Sequence, residues 1–425
     1  MPFVRALGAV HFLVTAYIFL ATAYTTCSLF GRLPRAFLSR LHDRGTVADS
    51  QPSPGLYLDA GHYHGEPRGA FTDQYPTLNH PRTNTSLDAQ GPATSLDLSE
   101  ELFLSKAFAQ SMRPSKIIPY FYRATADLEK DDITIATLVT SNRFGVFKKL
   151  VEDYQGPISV AIHIKDTAEE VEALLDRLHE LYTSVPAMSA YVDIHLMIDH
   201  FDRQFNTWRN VARLFARTDY VMMLDVDFAL CTDFRSSVRR SRPIMDKLES
   251  GDAAFVLPAF EYVKQRDGIE QANLPRSKKA LVSLVKQGVI DVFHRSWAPG
   301  HNSTDYPRFY SSRPGEVYKV TQYQSAYEPY VIFKKEGPPW CDERFVGYGG
   351  NKAACLFEMY LSGISFYVLS DHFLIHQSHP YEEEARKSER KYNKKIYSDF
   401  KEEACLRYTS VNPTVTRILT KDVGI

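Results

Sequence analysis

The hydrophobic pattern divides the chain into three stretches. Residues 6–30 are apolar or small without a single Asp, Glu, Lys or Arg. About 25 helical residues exceed the thickness of a bilayer core, so the run predicts one transmembrane helix. A cleavable signal peptide is the alternative, since Ala21-Thr22-Ala23 has the small-x-small form, but the apolar run continues to Phe30. Across 31–115 no sustained periodicity survives, and 45–95 is rich in Pro, Gly, Ser, Thr, His and Asp, a composition that cannot bury a core and predicts an extended, disordered stem. From Lys116 the pattern turns globular. The β-branched run 133–140 predicts a buried strand. A polar break follows, then Phe144, Phe147, Leu150 and Val151 at helical spacing across 144–154, stopped by Gly156-Pro157 ahead of a second strand at 158–164. This βαβ unit is continued by a helix at 167–181, a strand at 191–198, a helix at 208–216 and a strand at 220–224. The alternation predicts an open, mostly parallel, Rossmann-like α/β sheet in 116–425, behind a tail (1–5), an anchor (6–30) and a stem (31–115).

In such sheets ligands bind beyond the carboxyl ends of the strands. The apolar run 220–224 ends in Asp225-Val226-Asp227, so two carboxylates emerge where a ligand site is expected. Hard oxygen ligands at that spacing suit Mn²⁺ or Mg²⁺, which keep positions open for a diphosphate leaving group. A strand-end turn with solvated carboxylates is the plain alternative. A phosphatase using an aspartate nucleophile fits less well, because its motif belongs on the first strand and Ala229 stands where it would place Thr or Val. A third ligand is offered by the segment 366–379, whose histidines are His372, His376 and His379. His376 follows the apolar Phe373-Leu374-Ile375 and is expected at a strand end; His372 and His379 resemble turn residues.

Composition changes the picture by exclusion. Lys and Arg number 50 against 51 Asp and Glu, so no overall field favours nucleic acid. The five cysteines show no C-x-x-C spacing, which argues against a thiolate zinc site; the four after residue 200 can form up to two disulfides if luminal. Orientation is divided. Arg32, Arg35, Arg40 and Arg44 after the anchor favour a cytosolic globular part, whereas the sequons at Asn84 and Asn302 require a luminal one.

Several blocks in one order resemble a known family across residues 130–400. They are Thr137-Leu138-Val139-Thr140, Gly156-Pro157-Ile158-Ser159, Arg209-Asn210-Val211-Ala212, Leu224-Asp225-Val226-Asp227-Phe228, Val256-Leu257-Pro258-Ala259-Phe260-Glu261, Tyr327-Glu328-Pro329-Tyr330, the run Asp342-Glu343-Arg344-Phe345-Val346-Gly347-Tyr348-Gly349-Gly350-Asn351-Lys352, and Phe373-Leu374-Ile375-His376. Together they resemble glycosyltransferase family 49, which contains β-1,4-glucuronyltransferase and the C-terminal catalytic domain of the LARGE enzymes. The resemblance implies a GT-A fold, a single-pass type II Golgi membrane protein with a luminal catalytic domain, Mn²⁺ (or Mg²⁺), a UDP-sugar donor, best matched by UDP-glucuronate, a glycan or glycoprotein acceptor, and inversion at the anomeric carbon. Asp225, Asp227 and His376 then fall on the metal ligands, and Thr140, Asn142, Arg209 and Asn210 near the nucleotide. Inversion needs a base for the acceptor hydroxyl; Asp342 and Glu343 are the candidate pair, with Asp342 preferred, and Trp340 and Tyr348 beside them are either a sugar platform or core. An inactive, membrane-tethered glycan-binding protein of the same fold is the competing class. The segment 264–322 matches no pattern.

Overall fold

A computed structural model describes residues 116–199, 203–269, 271–377, 379 and 383–408. The predicted tail, anchor and stem and the Asn84 sequon lie outside the described residues, among which no helix is long and apolar enough to cross a membrane.

The chain opens with the edge strand β1 (Lys116–Tyr122), where Pro119 withholds a ladder donor and a register shift bends the strand. It then builds β2 (Ile133–Val139), α1 (Phe144–Tyr154), β3 (Ile158–Lys165), α2 (Ala168–Ser184), α3 (Pro186–Tyr191), β4 (Val192–Asp199), α4 (Phe205–Leu214) and β5 (Tyr220–Met223). Strands β4, β3, β2 and β5 are mutually parallel, as the alternation predicts. Gly156, at the turn into β3, is required by space: a Cβ there would sit 2.6 Å from the Arg235 guanidinium, which bridges Gln155 O and the Asp132 carboxylate.

Beyond β5 come β6 (Phe228–Leu230), α5 (Phe234–Arg240), α6 (Arg242–Ser250), β7 (Ala253–Leu257), β8 (Ala259–Tyr262), α7 (Lys278–Lys286), β9 (Ile290–Val292), α8 (Tyr306–Ser311), β10 (Val317–Lys319), β11 (Tyr330–Lys334), α9 (Asn351–Leu361), β12 (Ser365–Leu369), β13 (Leu374–His376) and α10 (Glu383–Tyr408). The main sheet has the order β1-β4-β3-β2-β5-β11-β7-β12-β10. β11 runs antiparallel between β5 and β7, so a single reversed strand lies beside the strand from which the aspartates emerge, and β7 and β12 again run with β5. A smaller sheet, β6-β13-β8-β9, stands on that edge.

Period-two alternation divides the core. In β7, Ala253, Phe255 and Leu257 face a layer with Phe144, Phe147, Leu178 and Leu248, while Ala254 and Val256 face one with Trp208, Val211, Leu356 and Met359. A third cluster, Phe345, Phe357, Leu361, Ile396 and Phe400, fastens α10 onto α9.

Cys341 and Cys355 form a disulfide and Cys231 is a buried free thiol. The bridge ties the loop before α9 to that helix across a separation of 14 residues. Closing so short a loop in the unfolded chain corresponds to about 3 kcal/mol. Cys341→Ser/Cys355→Ser is therefore expected to lower the unfolding free energy by that order, read as a lower urea midpoint. A midpoint indistinguishable from wild type would show that the crosslink contributes nothing.

Candidate active site

The main site is made where β5 ends. Leu224 N–H still bonds to Ala136 O of β2, after which Asp225-Val226-Asp227 turns the chain and Phe228 starts β6. β13 pairs antiparallel with β6, with His376 opposite Phe228, and Gln377 N–H donates to Asp227 O at 2.7 Å. A ladder thus carries a histidine from far along the chain to the second aspartate. His376 Nε2 lies 3.6 Å from Asp227 Oδ2, and His379 Nε2 lies 2.8 Å from the same oxygen. One ligand atom from each of Asp227, His376 and His379 falls within 4.8 Å of the others. His379, taken for a turn residue on its sequence, belongs to the site.

This triad fits a divalent cation. His376 is 3 % exposed, its ring lies between Phe228 and Phe293, and its Nδ1 is buried with no hydrogen-bond partner among the described residues. Two imidazoles and one carboxylate favour Mn²⁺ over Mg²⁺, which prefers oxygen ligands throughout. Burial opposes the charge on Asp227, yet the two histidines hold its carboxyl far below the usual range.

Asp225 stands in a different environment. Its Oδ1 faces Arg209 Nη2 at 3.2 Å, while Oδ2 accepts from Lys352 Nζ at 3.0 Å and Tyr330 OH at 3.1 Å. Against the cost of burial, Lys352 and Arg209 hold its pKa down at about 2. The structure brings Asp225 beside the triad, held in a cage of two cations.

The surrounding cleft, about 1090 Å³, is lined by Thr140, Asn142 and Arg209 of the predicted nucleotide residues. Thr140 and Asn142 bond to each other just past β2, Oγ1 to Oδ1 at 2.6 Å. Asn210 points elsewhere: its amide donates to Cys341 O and to the Glu343 carboxylate and accepts from Cys341 N–H, clamping the loop behind the cleft.

Neither candidate base lines the cleft. Asp342 is gripped at both oxygens by Arg344, a fully buried guanidinium that also reaches Glu403 on α10. A carboxylate so engaged is structural, which corrects the reading of Asp342 as a base. Glu343 is turned to Asn210. Trp340 lies off the cleft under the Arg213 guanidinium at 4.2 Å, whereas Tyr348 lines it with Arg386 over its ring at 4.1 Å. The sequon residue Asn302 is exposed and Thr304 is buried, its hydroxyl bonded to Tyr327 OH.

The floor near Tyr348 depends on glycine. Gly347 has φ +72°, and a Cβ there would lie 2.1 Å from the Glu389 carboxyl carbon; at Gly349 it would meet the Arg390 backbone at 3.2 Å. This close approach lets α10 bring Arg386 and Arg390 to the cleft, where Arg143, Arg203, Arg209 and Lys352 already stand, against three carboxylates, Asp225, Asp227 and Glu328. The cleft is cationic in a chain that is nearly neutral, which suits a polyanion.

Comparison with known proteins follows the same outline. A family model described as a glycosyl-transferase for dystroglycan matches residues 132–205 and 199–409. The xylosyl- and glucuronyltransferase LARGE2 of Mus musculus is 32% identical over 252 residues, 58% of this chain and 34% of its own. LARGE1 of Homo sapiens is 27% identical over 269 residues, 61% of this chain and 32% of its own. The glycosyltransferase-like protein gnt14 of Dictyostelium discoideum is 28% identical over 258 residues, 60% of this chain and 38% of its own. The chain spans about a third of the length of these relatives. A solved structure of GalNAc-T7 with UDP, GalNAc and Mn²⁺ aligns over 60% of this chain and 44% of its own at 10% identity and a TM-score of 0.34, too slight a likeness to argue from.

Proposed function

We infer the activity from one premise: the chain belongs to the family of glycosyl-transferases for dystroglycan. It is proposed to be a GT-A-type, metal-dependent, inverting transferase that moves a sugar from a UDP-sugar onto a glycan or glycoprotein. The observation that carries this reading is the convergence of Asp227, His376 and His379 within 4.8 Å in a cationic cleft. These residues would hold Mn²⁺, which when bound neutralises the charge of the departing diphosphate. The family premise makes UDP-glucuronate the donor to try first, and a cleft lined by six Arg and Lys side chains suits a sugar that carries a carboxylate of its own.

The protein's own groups do the rest. Thr140 and Asn142, past the end of β2 on the cleft wall, would contact the nucleotide. Arg209 and Lys352 are oriented by Asp225, Asn351 and Tyr330, so both side chains are in position before any anion arrives. Residues 6–30 would hold the domain in a Golgi membrane, facing the lumen.

The test is nucleotide release by the full-length chain against a panel of UDP-sugars with Mn²⁺ or EDTA, with UDP binding followed by calorimetry. Metal-dependent turnover of one donor is expected. Metal-dependent UDP binding without turnover of any donor, with or without a panel of glycoside acceptors, would leave a glycan-binding protein. Absence of both would end the nucleotide-sugar reading.

A further inference from the structure

An inverting displacement needs a group that takes the acceptor's proton, and this chain's acceptor side is not yet accounted for. Among the described residues lining the cleft there are three carboxylates. Asp227 is committed to the two histidines and Asp225 to Arg209, Lys352 and Tyr330. Glu328 remains. The ladder between β11 and β5 pairs Val331 with Met223, so the residues just ahead of β11 come level with the Asp-Val-Asp turn. Tyr330 reaches Asp225 from that position, and Glu328 stands two residues before it, half-buried at the cleft wall.

Glu328 is also tied to an aromatic rim. Its N–H donates to Gly300 O at 2.8 Å, and Gly300 ends the turn Arg295–Gly300 that carries Trp297. Trp297 packs over Gly300, where a Cβ would lie 3.1 Å from Cδ1, yet its side chain lines the cleft 60 % exposed. An exposed indole on the wall of a polar cleft suits the C–H face of a sugar ring, with an apolar face and a wet edge in one side chain.

We propose that Glu328 and Trp297 form the acceptor side of the cleft, Trp297 supporting the acceptor sugar ring and Glu328 acting as the general base. This rests on the transferase reading above. In the step, the acceptor O–H proton passes to the Glu328 carboxylate as the acceptor oxygen bonds to the donor's anomeric carbon. The bond from that carbon to the diphosphate breaks, its electron pair leaving on the β-phosphate oxygen, and Glu328 later returns the proton to solvent. Burial raises the Glu328 pKa, helped by Asp225, while Lys352, Arg209 and the Ala353 N–H pull it back, an environment that suits a proton acceptor. Two cleft histidines are differently engaged: His163 pairs with Asp199 at 2.9 Å, and His294 is stacked on Phe293 at 3.9 Å.

The experiment uses the full-length chain with Mn²⁺, UDP-glucuronate and a panel of aryl β-glycosides (xyloside, glucoside, galactoside), following UDP release and, separately, UDP binding. Glu328→Gln keeps an oxygen for the Ala353 N–H. It is expected to lower kcat by about 10²–10⁴-fold, the usual range for a lost general base, with the Kd for UDP unchanged and the acid limb of the pH profile gone. Glu328→Asp should recover part of the rate. Trp297→Ala should raise the acceptor KM about tenfold, more than it lowers kcat. The inference is overturned if Glu328→Gln keeps kcat within a few-fold, if it loses UDP binding and rate together, or if His294→Gln removes the acid limb that Glu328→Gln retains. Wild-type UDP binding with no transfer to any acceptor would remove the transferase reading, and this inference with it.

Discussion

Asp227→Asn is expected to abolish metal-dependent UDP binding and to lower transfer on the order of 10³-fold, the scale seen when a group that stabilises developing charge is removed. The substitution is nearly isosteric, so the effect is electronic. His376 and His379 would keep their places on β13 and the loop beyond it, but the charge they both face would be gone. An amide is a poor ligand for a hard cation beside two imidazoles, and loss of even a supporting group outside the coordination sphere costs about 10–100-fold in metal affinity. The measurement is a melting curve titrated with Mn²⁺ alongside the rate. Wild type should gain thermal stability with Mn²⁺, since a ligand that binds only the folded state stabilises it, and the variant should not. Asp225→Asn should differ in kind: it leaves Arg209 and Lys352 without their shared counter-charge and disturbs the cationic wall more than the metal response. If Asp227→Asn keeps both the Mn²⁺-dependent shift and the rate, the triad is not the metal site.

Arg344→Ala should be the most damaging single change to stability, at about 3–5 kcal/mol, because it leaves the Asp342 carboxylate buried without its cation and Glu403 with the part-exposed Arg407 in its place. Arg344 is fully buried between Asp342 and Glu403, and Glu403 in turn bonds Arg407. Such a loss is a large share of the roughly 5–15 kcal/mol by which a domain is stable. Urea unfolding monitored by tryptophan fluorescence would measure it. The same experiment tests the reassignment of Asp342. Asp342→Asn should lower stability while the rate per folded molecule stays within a few-fold, and a normal melting curve with kcat lost would restore Asp342 as the base.

The parts of the fold visible in the sequence are those governed by neighbours. The β-branched run of β2, the helical spacing of Phe144, Phe147, Leu150 and Val151, and the Gly156-Pro157 stop are local signals, and β2, α1 and β3 follow them closely. The meeting of Asp227 with His376 was legible because each closes an apolar run that has to end at a sheet edge. His379 was not, because it lies in coil three residues past β13 and no periodicity distinguishes a ligand there from a turn. Asp342 was misread for the same reason in reverse. Its acidic pair sits in a loop of the kind that supplies bases, and Glu403, which turns Arg344 into a buried hub, lies 59 residues beyond that arginine. Glu328 looked like one letter of a block until the β11 register set it beside the aspartates.

The long reach of the β6–β13 pairing also fixes an order in time. Asp227 and His379 are 152 positions apart. At ribosomal rates of about 5–20 residues per second the histidine is made roughly 8–30 s after the carboxylate. The parallel strands β2 to β5 are complete throughout that interval, so the first half of the sheet can fold while the Asp-Val-Asp turn waits for its partner strand. A nascent chain therefore has Thr140 and Asn142 at the end of β2 well before Asp227 can meet His376 and His379, and Arg386 and Arg390 arrive later still. Until nearly the whole domain has left the ribosome, the chain carries the residues of the cleft without the cleft itself.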